Sequence, residues 1–130
     1  MKRIIIIIGA SLVFIFICTV AIVMLSINHG IKERISIAQE KYHGTAEDAL
    51  IAYLADTTNS ARDRTDVAIW TLGQIQSQKA LPILKELYNS NPDGKTCRGS
   101  HDSVLCQYGI DKAIRAIESK WWPLHPGLNK

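Results

Sequence analysis

Between Ile4 and Ile27 the chain carries no charged residue: IIIIIGASLVFIFICTVAIVMLSI. At ~1.5 Å per helical residue this run spans about 36 Å, enough to cross a hydrocarbon core of ~30 Å with some tilt. Inside lipid the backbone has no water to bond, so such a run is confined to a helix. Lys2 and Arg3 precede it, as they would a secretory signal. The apolar stretch is too long for that role and no small-x-small cleavage site follows, so an uncleaved signal anchor is expected. Cys18 lies within the run, with apolar and small residues continuing after it, which is not the setting of a lipoprotein cysteine. Lys2, Arg3 and the terminal amine favour a cytoplasmic N-terminus, against Lys32, Arg34 and Lys41 on the other flank. A charged tail this short is hard to translocate. The expected location is therefore a plasma or inner membrane, with the C-terminal part on the extracytoplasmic side.

A chain of 130 residues that spends this much on a membrane segment has room for one further domain. Its 15 Lys and Arg against 12 Asp and Glu give a formal charge of +3. Without Lys2 and Arg3 the balance is close to neutral, and the basic residues are scattered, which excludes nucleic acid as an expected partner.

After the membrane, Ile27, Ile31, Ile35, Ala38 and Tyr42 continue a helical stripe, with Gly30 as a place for a bend. His29 falls at the water boundary and carries no assigned role. His43-Gly44 ends this helix. Thr45 starts another, with Asp48 three positions on as its capping pair and Ala46, Ala49, Leu50, Tyr53 and Leu54 as its buried face. TTNSARD is turn-like, with Asn59 or Ser60 available as a cap. Then comes TDVAIWTLGQIQSQKALPILKELY, which reads as two helices joined tightly at Gln76-Ser77-Gln78. Val67, Ala68, Trp70, Thr71, Leu72 and Ile75 make one apolar face; Ala80, Leu81, Leu84, Leu87 and Tyr88 make the other. Ser77 is placed to cap the second helix, where Pro82 is tolerable in the first turn. Helices this closely joined are expected antiparallel, each covering the other. NSNPDGKTCRGSH is a long irregular loop, and a last helix is expected with Leu105, Tyr108, Ile110, Ala113, Ile114, Ile117 and Trp121 on its apolar face. The expected helices after Lys41 cover 46–57, 61–76, 78–90 and 102–121, an all-α fold. Leu50, Leu54, Ala68, Leu72, Ile75, Leu81, Leu84, Ile114 and Ile117 form its expected core.

Within the hairpin, Ala68, Leu72, Gly73 and Ile75, then Ala80, Leu81, Pro82 and Leu84, give A-x-x-x-L-G-x-I followed by A-L-P-x-L. This resembles a HEAT repeat, in particular the short HEAT-like type also found in phycobilisome lyases. The departure is Gln76-Ser77, where the family has a Gly-Asp turn. Two internal echoes fit a repeat array. Ala49-Leu50 precedes Ala80-Leu81 by 31 positions, and a shift of 36 sets Gly109 under Gly73. The resemblance implies a short α-solenoid fragment with Gly73 at a close helix crossing. The expected organisation is an anchor over 1–27, a juxtamembrane helix over 28–44, a HEAT-like domain over 45–122 and a frayed tail over 123–130.

Few residues suggest chemistry. Cys97 and Cys106, on an oxidising face, are placed for a disulfide closing eight residues, worth about 2–3 kcal/mol by chain entropy. Cys18, inside the bilayer, cannot be their partner. The rival is zinc on Cys97, His101 and Cys106 with His43 or His125, but the spacing fits no familiar zinc motif. Ser100-His101-Asp102-Ser103 names the residues of a hydrolase triad, yet neighbours in sequence cannot converge as a triad must; Asp102 or Ser103 as a helix cap is the simpler reading. Trp70 reads as core. Trp121 and Trp122 diverge by ~100° on a helix, so one of them faces a partner, the tail or lipid headgroups.

No motif points to a reaction or a cofactor. The expectation is a single-pass, membrane-anchored, HEAT-like scaffold or accessory subunit that binds a protein partner. The alternative, also implied by the resemblance, is a lyase or chaperone of cofactor attachment.

Overall fold

The computed structural model describes residues 2–88 and 104–119. Every regular element among them is helical: α1 Lys2–Lys41, α2 Ala46–Ala55, α3 over 61–74, α4 Leu81–Leu87 and α5 Gln107–Glu118. The chain divides into two compact units, Met1–Lys32 and Glu33–Lys130.

The first unit is the long apolar part of α1, and Ser11–Lys41 is long and apolar enough to cross a membrane. Leu12, Phe14, Phe16 and Leu25 are more than 60% exposed, an all-round apolar surface. Its hydroxyls satisfy themselves, as a lipid environment requires. Thr19 Oγ1 donates to the Ile15 carbonyl at 2.8 Å and Ser26 Oγ to that of Ile22 at 2.9 Å. The helix runs through Gly30 without a break.

In the second unit the local signals work largely as the sequence indicates. Gly44 takes φ +132°, a conformation that favours glycine. Thr45 Oγ1 accepts from the Asp48 amide at 3.2 Å and donates to Asp48 Oδ2 at 2.7 Å, capping α2. Ser60, rather than Asn59, caps α3 by accepting from the Asp63 amide at 3.0 Å. Asn59 instead donates to the carbonyl of Tyr53 at 3.0 Å and to the Tyr42 hydroxyl at 3.1 Å.

Helix α3 departs from the simple stripe because Arg64–Ile69 is a π-helical stretch, closed by the Trp70 amide on the Thr65 carbonyl. A π turn holds more residues than an α turn, so later side chains are rotated out of the plain 3.6 register. Ile69 is consequently buried in full, while Trp70, expected in the core, is only half-buried. Ala68, Ile69, Leu72 and Ile75 are buried together.

Within the hairpin, α3 and α4 approach each other's backbones less closely than each approaches α5. Helix α3 approaches α2 and α5, and α4 has α5 as its close backbone neighbour. The last helix thus serves both members of the hairpin. The link explains why. Gln76 adopts φ +53°, with its amide bonded to the Gly73 carbonyl and that of Ser77 to the Leu72 carbonyl, a Schellman ending for α3. Successive turns through Ala80 and Leu81 follow, so α4 starts at Leu81 instead of 78. Ser77 Oγ accepts from the Ala80 amide at 3.1 Å, capping the turn before α4 and not α4 itself.

Helix α5 is likewise shorter than 102–121. Val104 and Leu105 are not helical, and Cys106, extended at φ −67° and ψ 104°, is its N-cap. Of the expected core, Leu50, Leu54, Ala68, Leu72, Ile75, Leu84, Ile114 and Ile117 are buried. Leu81 is half-buried, since the late start of α4 leaves it in the first turn; Ile69 and Ile110 complete the core.

Candidate functional site

The site begins with two glycines. A Cβ on Gly73 would stand 2.9 Å from Ala113 Cα and 3.0 Å from Ala113 Cβ, so only glycine allows α3 and α5 to come this close. Lower in the pair, a Cβ on Gly109 would lie 3.3 Å from Thr65 Cγ2. Thr65 faces Gly109 and Gly73 faces Ala113, so the two helices run in the same direction.

Withheld side chains leave a cleft of about 350 Å³ along this pair. Its floor is Gly73, Gly109, Ala113 and Ala116, and Trp70 and Tyr108 form its aromatic walls. Thr65, Asp66, Gln74 and Lys112 supply its polar groups. The volume lies in the range of sites that take small molecules or short peptide stretches.

Each aromatic ring carries a cation. The Arg34 guanidinium stacks 4.4 Å from the Trp70 ring centre, and its Nε donates to the Asp66 carbonyl at 2.9 Å, inside the π stretch. Lys112 Nζ stands 4.5 Å from the Tyr108 ring centre. Thr65 is already committed: its hydroxyl donates to the Ala61 carbonyl at 2.8 Å and accepts from the Cys106 amide at 3.3 Å. The Asp66 carboxylate and the Gln74 amide have no hydrogen-bond partner among the described residues. The cleft therefore offers two aromatic faces, one acceptor, one amide and one cation to whatever enters it.

Helix ends near the cleft are finished by side chains from other elements. Gln76 Nε2 donates to the Ala116 carbonyl and Gln78 Nε2 to that of Ile117, both at 3.2 Å. These are among the last carbonyls of α5, which lack partners within the helix. Gln107 Nε2 does the same for Leu87 of α4 at 3.2 Å, and Arg64 Nε for Leu54 of α2 at 2.7 Å.

A second polar cluster ties residues 41–42 to the α2–α3 turn. The Tyr42 hydroxyl donates to Asp56 Oδ2, whose other oxygen accepts from the Thr58 amide at 2.8 Å. Lys41 Nζ bonds Asn59 Oδ1 at 2.5 Å and lies 3.5 Å from Asp56, while the Tyr42 and Tyr53 rings meet edge to face at 5.9 Å. The hydrogen bond from Tyr42, then that from Thr58, holds the Asp56 carboxyl well below the usual carboxylate range. Burial pushes the Tyr53 hydroxyl up. The members of this cluster satisfy one another, so it acts as a latch and not as a site.

Of the residues expected to matter from the sequence, Cys97, His101, Asp102, Trp121, Trp122 and His125 lie outside the described residues. Cys18 is a free thiol. The Cys106 sulfur accepts from the Gly109 amide at 3.2 Å, closing the N-terminus of α5. His43 is exposed. Among the described residues no three His, Cys, Asp or Glu side chains stand together as metal ligands. The cleft itself was not anticipated, because it depends on α5 and α3 meeting across forty residues of sequence. The signal that pointed toward it was Gly109 falling under Gly73. No family model matches the chain, and no curated protein or solved structure matches it either.

Proposed function

We propose that this chain is a single-pass membrane protein whose helical domain binds a segment of a protein partner in the α3–α5 cleft. The observation that carries the reading is the cleft, an aromatic-walled groove in which Asp66 and Gln74 remain unspent. Peptide recognition commonly pairs aromatic faces with a few polar groups of this kind. The HEAT-like reading is supported by two residues 36 positions apart, Gly73 and Gly109, each meeting the other's helix where the helices run parallel. Binding through stacked helices is what that resemblance implies, by analogy of fold.

The anchor reading rests on α1, and the charges of Lys2 and Arg3 favour a cytoplasmic N-terminus. With the domain on the extracytoplasmic face, Cys97 is the proposed partner of Cys106, and Trp121 and Trp122 are proposed as further partner surface. Thiol alkylation of whole cells with and without reduction tests the topology and the pairing together. Two thiols reactive only after permeabilisation would reverse both. For the partner, a photo-reactive residue placed at Lys112 in intact membranes, followed by mass spectrometry, should capture one recurrent protein. Capture at Lys112 no different from capture at the exposed Glu33 would remove the proposal.

A further inference from the structure

The cleft opens beside the point where the described chain stops. Ala116 lies on its floor, and Ser119, one turn on and on the same helix face, is the last described residue. Residues 120–130 follow, KWWPLHPGLNK. We propose that this segment is the cleft's resident ligand, bound by the same copy of the chain, so that an outside partner must displace it. The inference rests on the cleft being a site for peptide segments, as proposed above.

Length allows it. Gly73 sits opposite Ala113, which places Trp70 level with about Ile110, nine positions before Ser119 and thus about 14 Å back along α5. Eleven residues reach up to about 36 Å when extended, so the segment can reverse and still run the length of the cleft. Composition matches it. Trp121, Trp122, Pro123 and Leu124 are apolar, and Pro123 and Pro126 are spaced as P-x-x-P, a pattern that favours an extended left-handed backbone needing little ordering on binding. Aromatic walls such as Trp70 and Tyr108 are the usual partners of such backbones. Gln74 can serve the exposed peptide groups of an extended chain with one donor and one acceptor. Tethering adds an effective concentration on the order of millimolar, enough to fill a cleft of weak intrinsic affinity.

The test uses the full chain in detergent, a chain ending at Ser119, and a labelled synthetic peptide of residues 120–130. The shortened chain should bind the peptide at least ten-fold more tightly than the full chain, whose cleft is already occupied. Tyr108→Ala in the shortened chain should weaken binding at least five-fold, as should Trp121→Ala with Trp122→Ala in the peptide. Equal affinity of the full and shortened chains, or no binding to either, overturns the proposal. A photo-reactive residue at position 108 of the full chain gives an independent reading. With isotopically light and heavy chains mixed, adducts to residues 120–130 should join chains of one isotope only; mixed adducts would assign the cleft to a second copy and also overturn it. Failure here together with capture of a foreign protein from position 112 in membranes would leave the partner-binding reading standing.

Discussion

Gly73 and Gly109 look alike in sequence, yet the structure gives them different weight. At Gly73 a methyl group would press on the backbone of Ala113, which cannot swing away; at Gly109 it would meet a threonine methyl at a tight but yielding 3.3 Å. Gly73→Ala should therefore cost about 1–3 kcal/mol by overpacking. Gly109→Ala should be within about 1 kcal/mol of neutral, since alanine's better helix propensity offsets the contact. Chemical denaturation of both variants checks the contrast, and equal losses would refute it. Gln76 presents a second case. It occupies a left-handed backbone position that favours glycine, and its side chain bonds the Ala116 carbonyl. Gln76→Ala and Gln76→Gly both forfeit that bond, so their difference isolates the backbone. Alanine should be less stable than glycine there by about 1–2 kcal/mol. Thr71 Oγ1 is buried without a hydrogen-bond partner among the described residues. Thr71→Val should leave stability unchanged or raise it by about 1 kcal/mol, measured by thermal melting, because no bond is lost.

At the level of elements, what could be read from the sequence was what is local. Thr45 with Asp48, Ser60 before Ala61, and Gly44 after α1 act within a few residues, and each performs as its residue type suggests. The uncharged run from Ile4 leaves one helical option, and α1 takes it. The errors come where distant contacts decide. Spacing alone puts Trp70 in the core, but the π stretch, with Arg34 at the Asp66 carbonyl, turns it toward the cleft. Cys106 lay inside the expected last helix, yet its amide goes to Thr65 Oγ1, forty-one residues earlier, and so it stands outside as a cap. The cleft belongs to the same class: its walls come from α3 and α5, and no single stretch contains it. Leu72 sits where these helices and α2 converge and is fully buried. Leu72→Ala should cost about 2–5 kcal/mol; a loss under ~0.5 kcal/mol would be that of a surface residue.

Over the whole molecule, acid should act before base. The Asp56 carboxyl is depressed by Tyr42 and then Thr58, and Asp48 by its hydrogen bond with Lys79, then that with Thr45. A carboxylate with a folded-state pKa below its unfolded value of ~3.9 contributes stability that is complete above that value and lost as pH falls through the folded one. Stability should be flat from about pH 7 to 5 and decline below about pH 4. Asp56→Asn should flatten that decline, followed by circular dichroism across the acid range; an unchanged slope would show that other groups carry it. The Asp48–Lys79 ion pair is solvent-exposed, so added salt should shrink its share of the effect.

The dependence of the hairpin on α5 has a consequence for how the protein is made. Helix α1 leaves the ribosome first, and α2 through α4 follow in order, at a typical ~5–20 residues per second. Leu72 and Leu84 then have no Ile110, Ile114 or Ile117 to close on, and the carbonyls of α5 that Gln76 and Gln78 will bond do not yet exist. Translation must advance past residue 118 before the core can seal, which leaves residues 46–87 with apolar groups open for several seconds, a window in which a holding chaperone would have most to bind.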